Sequence, residues 1–366
     1  MSIKVCHISS AHPPFDVRIF HKECVSLAEA GFEVSLVVTH DKAETVNGVN
    51  IVPLPESKGR LHRMFIKTHF AFYRSLKTKS KIYHFHDPEL MGVGILLKIL
   101  GKKVIFDSHE NVSSQIEEKQ WLGNKFTRTI IKSFYRLLER FAILFFDSVI
   151  SVTPEIVEFL SPKKGVLVRN YPILSLIENS KTQEVKNNLP KVIYVGGLSR
   201  IRGIKEICEA VEMVEEEMEL ILVGLWESES FKEECLSNKS KINYLGKVPL
   251  EQVYPIMKTA TIGMATLYPV HNYLNSLPIK AFEYMACKKP IIMSNIPYWE
   301  KEFDGSAIFV NPKSAKDIAE KITWMLQNPE EAKKIGEFGY KTVNEKYSWD
   351  KEAETLLELY QKLASN

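Results

Sequence analysis

Short apolar runs rich in branched residues alternate with helix-length segments along the whole chain, and this alternation constrains the fold more than any other feature. Val5–Ser9, Glu33–Val38, Ile82–His86, Lys103–Ser108 and Ser148–Val152 read as strands. Between them, segments such as Phe20–Ala30, Met64–Lys77 and Phe126–Phe145 place apolar residues at helical spacing. Such alternation predicts an α/β protein whose parallel sheets are covered by helices on both faces. The pattern pauses over residues 170–188, which are polar, contain Pro172 and show no period. It restarts with Val192–Val195, Leu220–Val223, Ile242–Leu245, Thr261–Ala265 and Ile291–Met293. At 366 residues the chain exceeds one ordinary core. The expected organisation is therefore a first domain over 1–170, a linker over 171–188, a second domain over 189–346 and a closing helix over 347–366. That helix carries Leu356, Leu357, Leu359, Tyr360 and Leu363 on one side, the side expected to pack back on the first domain.

Charged residues make up 25% and hydrophobic residues 45%, a soluble globular profile. The start runs straight into an apolar strand, with no cleavable signal expected. Leu90–Leu100 and Phe141–Val152, the longest apolar runs, are interrupted by Lys98 and Asp147 and fall short of the roughly 20 residues a membrane span needs. Five scattered cysteines argue against both a disulfide framework and a zinc site. The expected location is the cytoplasm, with a peripheral place on the inner face of the cell membrane.

That last expectation rests on charge. Residues 1–165 hold 23 Lys and Arg against 17 Asp and Glu, and Lys58–Lys81 contains no acidic residue. Its cations interleave with Leu61, Met64, Phe65, Ile66, Phe70, Phe72 and Tyr73, and Lys125–Arg140 repeats the pattern. Basic amphipathic helices with aromatic residues lie on anionic membranes; the alternative is a solvated helix face with its apolar side in the core. Net charge is only +3 and no reader motif is present, so no nucleic-acid partner is expected.

Ligands of open parallel sheets bind beyond the carboxyl ends of the strands, and two such sheets facing each other make a cleft. The residues that follow strands are therefore the candidates. Lys103–Phe106 leads into Asp107-Ser108-His109-Glu110, where a histidine between carboxylates can donate hydrogen bonds and change charge near neutral pH, or simply hold the next helix. After Ile82–His86, Asp87 and Pro88 read as a helix cap and first turn. His86 has no further ligands at characteristic spacing, so no metal is expected. The loop Ser9–Arg18, with Asp16 and Arg18, lacks glycine and is no dinucleotide fingerprint, which disfavours a nicotinamide dehydrogenase.

In the second half, Val192–Gly203 is a strand, a turn at Gly196-Gly197, two arginines at Arg200 and Arg202, and then a helix. Glycines let the backbone approach a ligand, the helix start favours anions, and arginines fork onto phosphate oxygens; a plain turn with surface arginines is the alternative. Lys280 and Glu283 share a face of a short helix starting near Pro278. Glu283 can accept from two ribose hydroxyls while Lys280 neutralises phosphate, or the two form a surface ion pair.

As a set, Val195–Gly203, Ile242–Val248, Phe282–Ala286 and Pro290–Ser294, with Leu27–Val34 and Tyr347–Asp350, resemble the retaining GT-B glycosyltransferases of family 4. The resemblance implies two Rossmann-like domains facing across a cleft, with the donor held mainly by the second. It further implies metal-independent transfer, without a cofactor, from a nucleotide-diphosphate sugar, UDP favoured, to a glycan or polyprenyl-linked acceptor in surface-polysaccharide assembly. By position, Glu283 resembles the ribose-binding glutamate, Arg202 the diphosphate-binding lysine, and Gly246, Lys247 and Val248 the segment whose backbone meets the base. His109 resembles the first-domain histidine that approaches donor sugar and acceptor. Asn275, Ser276, Leu277 and Lys280 match a pattern of polysaccharide-assembly chains. Asp16, Arg18, His86, Asp87 and Glu110 are the acceptor-side candidates. Three departures accompany the match: Gly197 stands where the family has arginine, with Arg200 the expected substitute; Asn275 stands for the first glutamate; and Phe15-Asp16 replaces a double glycine. A nucleotide-sugar epimerase or hydrolase, or a catalytically silent sugar-nucleotide-binding protein, are the alternatives.

Overall fold

A computed structural model of the chain describes residues 2–108, 116, 123–161, 163–183 and 188–365. The chain divides into two units, residues 1–170 with 349–366, and residues 171–348.

The first unit is built on an eight-stranded sheet: β1 (Lys4–Ile8), β2 (Glu33–Thr39), β3 (Glu44–Val46), β4 (Val49–Leu54), β5 (Ile82–Phe85), β6 (Lys103–Ser108), β7 (Ser148–Ser151) and β8 (Gly165–Leu167). Their order is β3-β4-β2-β1-β5-β6-β7-β8. All neighbours are parallel except β3 and β4, an antiparallel hairpin turning on Asn47 and Gly48, both at positive φ. That is the Asn-Gly signature of a two-residue hairpin turn. Strand order reverses direction between β1 and β5, so loops leaving these two strands diverge and open a crevice at the carboxyl edge.

Alternating apolar residues on these strands fill the core on one face. Phe85 and Phe106 stack with centroids 4.8 Å apart, and Phe146 meets Phe85 edge-on. The helix Met91–Ile99 comes close enough through Gly94 that a Cβ there would lie 2.7 Å from the Phe85 ring.

The closing helix, Trp349–Ser365, buries Trp349, Leu356, Leu359, Tyr360 and Leu363. The Trp349 Nε1–H donates to Ser26 Oγ at 2.9 Å, and Glu352 accepts from the Arg169 backbone N–H at 2.7 Å. These bonds tie the last residues of the chain to the first unit.

The second unit has a six-stranded, all-parallel sheet: β9 (Lys191–Val195), β10 (Glu219–Val223), β11 (Ile242–Gly246), β12 (Ile262–Ala265), β13 (Ile291–Ser294) and β14 (Ala307–Val310). The order is β11-β10-β9-β12-β13-β14, which puts the switch point between β9 and β12. Apolar clusters cover both faces, as a buried parallel sheet requires. The stretch 171–188 is not bare chain: it carries the helix Leu174–Glu178, with Leu174 and Ile177 buried. The Tyr171 ring packs against Phe282 and Tyr347, each at 5.2 Å. Its apolar residues are too few to show a period, yet they join the second core.

Candidate functional site

In the second unit, three glycines terminate three adjacent strands. The Gly196 N–H donates to the Val223 carbonyl at 2.9 Å, and the Gly224 N–H donates to the Gly246 carbonyl at 2.8 Å. Gly196, Gly224 and Gly246 have φ of 132°, 145° and 74°, values that disfavour any side chain. The carboxyl edge of β9, β10 and β11 is thereby a bare backbone ledge at the switch point. A ligand can approach main chain there without meeting a Cβ.

Two cations border this ledge. Lys280, on the helix Ile279–Ala286, brings Nζ to 3.1 Å from where a Cβ on Gly196 would sit. Arg202, in the single turn Arg200–Arg202, brings one guanidinium nitrogen to 3.3 Å from the same point and 3.2 Å from the corresponding point on Gly197. The guanidinium fills the space a side chain at position 197 would need, which explains why glycine stands there. Gly203 follows at φ 68°, its missing Cβ admitting the Thr266 carbonyl that leaves β12.

Aromatic side chains surround the pair. The Tyr194 and Tyr273 hydroxyls lie beside the Arg202 charge, and the Tyr194 hydroxyl donates to the Gly197 carbonyl at 3.3 Å. The Lys280 ammonium lies 3.7 Å over the Tyr194 ring and has no hydrogen-bond partner among the described residues. Burial first, and the Arg202 charge second, hold the Lys280 pKa well below its ordinary value. Glu283, one turn further along the same helix, is half-buried and accepts from the Tyr254 hydroxyl at 3.2 Å. A buried amine, a guanidinium and open backbone at a switch point are the chemistry that suits an anion of phosphate type. The carboxylate beside them accepts from neighbouring hydroxyls.

Several expected residues lie elsewhere. Arg200 turns outward: both of its terminal nitrogens pair with Glu234, and its guanidinium stacks on Phe231 at 4.7 Å. It does not stand in for the arginine missing at Gly197. Among the residues matched to the base-contacting segment, Gly246 ends β11, Lys247 is exposed and Val248 packs against the core. Asn275 is exposed, Ser276 gives its carbonyl to Trp299 Nε1 at 2.7 Å, and Leu277 packs on the core. Tyr194, Tyr273, Tyr254 and Gly224 were not singled out by sequence. Tyr194 has an inward strand position and Gly224 belongs to no motif, so only tertiary contact reveals them.

In the first unit, acceptor-side candidates turn out to be largely structural. Arg18 is buried and forks onto Asp107 at 2.9 and 3.1 Å, with a further bond to the Val168 carbonyl. Asp16 caps the following helical segment, accepting from the Arg18 and Ile19 N–H groups. His86 is buried, with Nδ1 3.2 Å from Asp107 and Nε2 3.0 Å from His7 Nδ1. Asp87 does not cap the helix after it. Its carboxylate turns back to the loop after β1, accepting from Ser9 Oγ at 2.9 Å and the Ser10 N–H at 2.6 Å and facing His12 Nδ1 at 3.1 Å. His12 and these N–H and O–H donors outweigh the burial that would raise its pKa, and hold it well below the ordinary carboxylate range. Asp87 thus ties the two loops that flank the β1/β5 switch point. His109 and Glu110 lie outside the described residues.

The basic segments are exposed as expected, but on different terms. In the helix Lys125–Phe145 only Glu139, Ala142 and Ile143 are buried. Phe126, Ile130, Phe134, Leu137, Phe141 and Leu144 stand in solvent, at 53–73% exposure. Leu61, Phe65 and Tyr73 do likewise on the other segment. The apolar side is therefore not core. Lys67 is an exception to the surface pattern: it is buried and donates to Thr39.

Residues 177–342 match the family described as glycosyl transferases group 1, and residues 18–169 match the family described as glycosyltransferase family 4. An uncharacterised glycosyltransferase of Methanocaldococcus jannaschii, MJ1069, is 24% identical over 83% of this chain and 79% of its own length. An N,N′-diacetylbacillosaminyl-diphospho-undecaprenol α-1,3-N-acetylgalactosaminyltransferase of Campylobacter jejuni is 24% identical over 55% of this chain and 56% of its own. Anabaena HepE, solved in complex with UDP-glucose, superposes with a TM-score of 0.71 at 13% identity, covering 98% of this chain and 100% of that one.

Proposed function

Because this chain belongs to the GT-B glycosyltransferases of family 4, we propose that it transfers a sugar, with retention, from a UDP-sugar to a membrane-borne, lipid-linked acceptor in surface-polysaccharide synthesis. The observation that carries the proposal is the Lys280–Arg202 pair set over the Gly196–Gly197 turn at the β9/β12 switch point. The diphosphate lies on this pair, and Glu283 takes the ribose hydroxyls. HepE, solved with UDP-glucose, supports the choice of donor by analogy.

As the sugar–phosphate bond breaks, negative charge grows on the departing diphosphate. Lys280 and Arg202 stabilise it in place, so the transfer step itself uses no metal. The acceptor hydroxyl adds to the face the phosphate is leaving, and its proton passes to that phosphate. His109 positions donor sugar and acceptor.

Glu283→Ala is expected to weaken UDP binding about tenfold to a hundredfold, because a carboxylate accepting two hydroxyls is lost. Titration calorimetry reads this directly, and unchanged affinity removes Glu283 from the site. The acceptor side rests on the exposed aromatic and basic surface, which favours an anionic bilayer. Each near-surface cation contributes about 1 kcal/mol, so reversing Arg60, Lys77 and Lys79 to glutamate lowers partitioning onto phosphatidylglycerol vesicles by about a hundredfold or more. Lys67, being buried, is left out of this test. Equal pelleting of variant and parent rules out the membrane reading.

A further inference from the structure

We propose that the first unit contains a structural binding site for a divalent transition metal of the zinc class, formed by His7, Glu23, His84 and His86. These side chains are fully buried, and their donor atoms all lie within 4.8 Å of one another. They come from three elements: His7 from β1, His84 from β5 with His86 just past its end, and Glu23 from the helical segment Val17–Cys24. Their spacing in sequence resembles no ligand motif. Only the pairing of β1 with β5, His7 opposite His84, brings them together.

The geometry is that of ligands around a common centre. Glu23 Oε2 lies 3.8 Å from His7 Nδ1, 3.7 Å from His84 Nδ1 and 3.9 Å from His86 Nε2. His7 Nδ1 and His86 Nε2 are 3.0 Å apart. Metal–ligand bonds of about 2.0–2.2 Å put tetrahedral ligand atoms about 3.3–3.6 Å apart, so the Glu23 distances need to change by a few tenths of an ångström and the widest donor pair, within 4.8 Å, by about an ångström. Three nitrogens and one carboxylate oxygen are a donor set that suits zinc.

The surroundings of His7 and His86 match what metal-bound histidines require, whereas His84 has Nδ1 2.9 Å from the Tyr360 hydroxyl and Nε2 without a hydrogen bond among the described residues. A ligating imidazole has its far nitrogen held by a carboxylate or another oxygen. His86 Nδ1 is 3.2 Å from Asp107 Oδ2, and His7 Nε2 is 2.9 Å from the Tyr360 hydroxyl. Arg18 shares its Nε between Asp107 at 2.9 Å and Glu23 Oε1 at 3.2 Å, which leaves Glu23 Oε2 facing the imidazoles. A neutral hydrogen-bond chain from Asp107 through His86, His7 and Tyr360 to His84 is the competing account. It satisfies the nitrogens along its length and holds Glu23 through Arg18; what the metal would add is a use for Glu23 Oε2, which lies 3.7–3.9 Å from three imidazole nitrogens.

The site joins β1, β5, the Val17–Cys24 segment and, through Tyr360, the closing helix. A metal there is a clip for the first unit and takes no part in sugar transfer. Being sealed, it is loaded during folding, so the test is made on full-length protein purified without chelator from zinc-supplemented cells. Elemental analysis is expected to find a single equivalent of zinc. Protein refolded with Zn²⁺ is expected to melt about 5–10 °C above protein refolded with chelator. Refolding with Co²⁺ should give the intense visible bands of tetrahedral cobalt, and His84→Gln should abolish them. Should that variant fail to fold, the two refolded wild-type samples decide. Equal melting of the two, substoichiometric zinc, or an unchanged cobalt spectrum in His84→Gln overturns the proposal.

Discussion

Replacing Lys280 by methionine is expected to make the free protein more stable and to cost it its donor site. The Nζ is sealed from solvent without a hydrogen bond and sits against the Arg202 charge. An unsatisfied buried polar group costs about 1–3 kcal/mol, and methionine of similar shape removes that cost. The sign with pH follows from linkage. The folded pKa lies below the ordinary 10.5, so the unfolded chain binds more protons across the window between them. Wild-type stability therefore rises with pH through that window. The advantage of Lys280→Met is largest below the folded pKa and shrinks as pH approaches 10.5. Function moves the other way. A diphosphate favours the charged form of Lys280, so affinity falls as pH rises through the depressed pKa. Losing this cation should lower turnover about 10²–10³-fold, the scale for removing one donor from a preorganised charge-stabilising site. Thermal denaturation across pH, with donor turnover on the same samples, checks both halves. A destabilised variant that still turns over donor contradicts the assignment.

The second large effect is expected at Gly224, where alanine should cost about 3 kcal/mol or more. A Cβ there would stand 1.9 Å from the Gly196 carbonyl oxygen and 2.8 Å from its carbon, both backbone atoms that no rotamer can move. The φ of 145° adds strain for any residue with a side chain. Because the displaced atoms belong to the phosphate turn, donor binding should fall further than global stability alone accounts for. Chemical denaturation and nucleotide titration of Gly224→Ala separate the two losses. A variant with wild-type stability refutes the close packing of these strand ends. One with the expected stability loss but wild-type nucleotide affinity dissociates Gly224 from the site.

The sheets were legible because buried parallel strands are short branched runs, as at Val192–Val195 and Ile291–Met293. The β3–β4 hairpin went unread although Asn47-Gly48 marks it, since Glu44–Val46 is too short to show alternation. β8 and β14 are likewise short, half-buried segments. In the proposed donor site, the placing of Arg202 after a turn and of Lys280 and Glu283 on one helix follows from spacing that a turn or helix enforces locally. The outward turn of Arg200 does not, because its partner Glu234 lies on another helix. Asp87 was read as a cap from its neighbour Pro88, while its real donors, Ser9 and Ser10, are 78 and 77 residues away. The histidine cluster is the extreme case. His7 and His84 each look like one polar residue in a strand, and the hydroxyl that joins them belongs to Tyr360 near the end of the chain.

The central claim is that the second unit holds a nucleoside diphosphate on Lys280 and Arg202. Calorimetric titration of the full-length protein with UDP, in parallel with dTDP, GDP and ADP and repeated on Arg202→Ala, tests it most directly. Saturable, single-site binding that favours UDP and is lost in the variant is expected. Absence of binding to all four nucleotides, or binding that Arg202→Ala leaves intact, would contradict it.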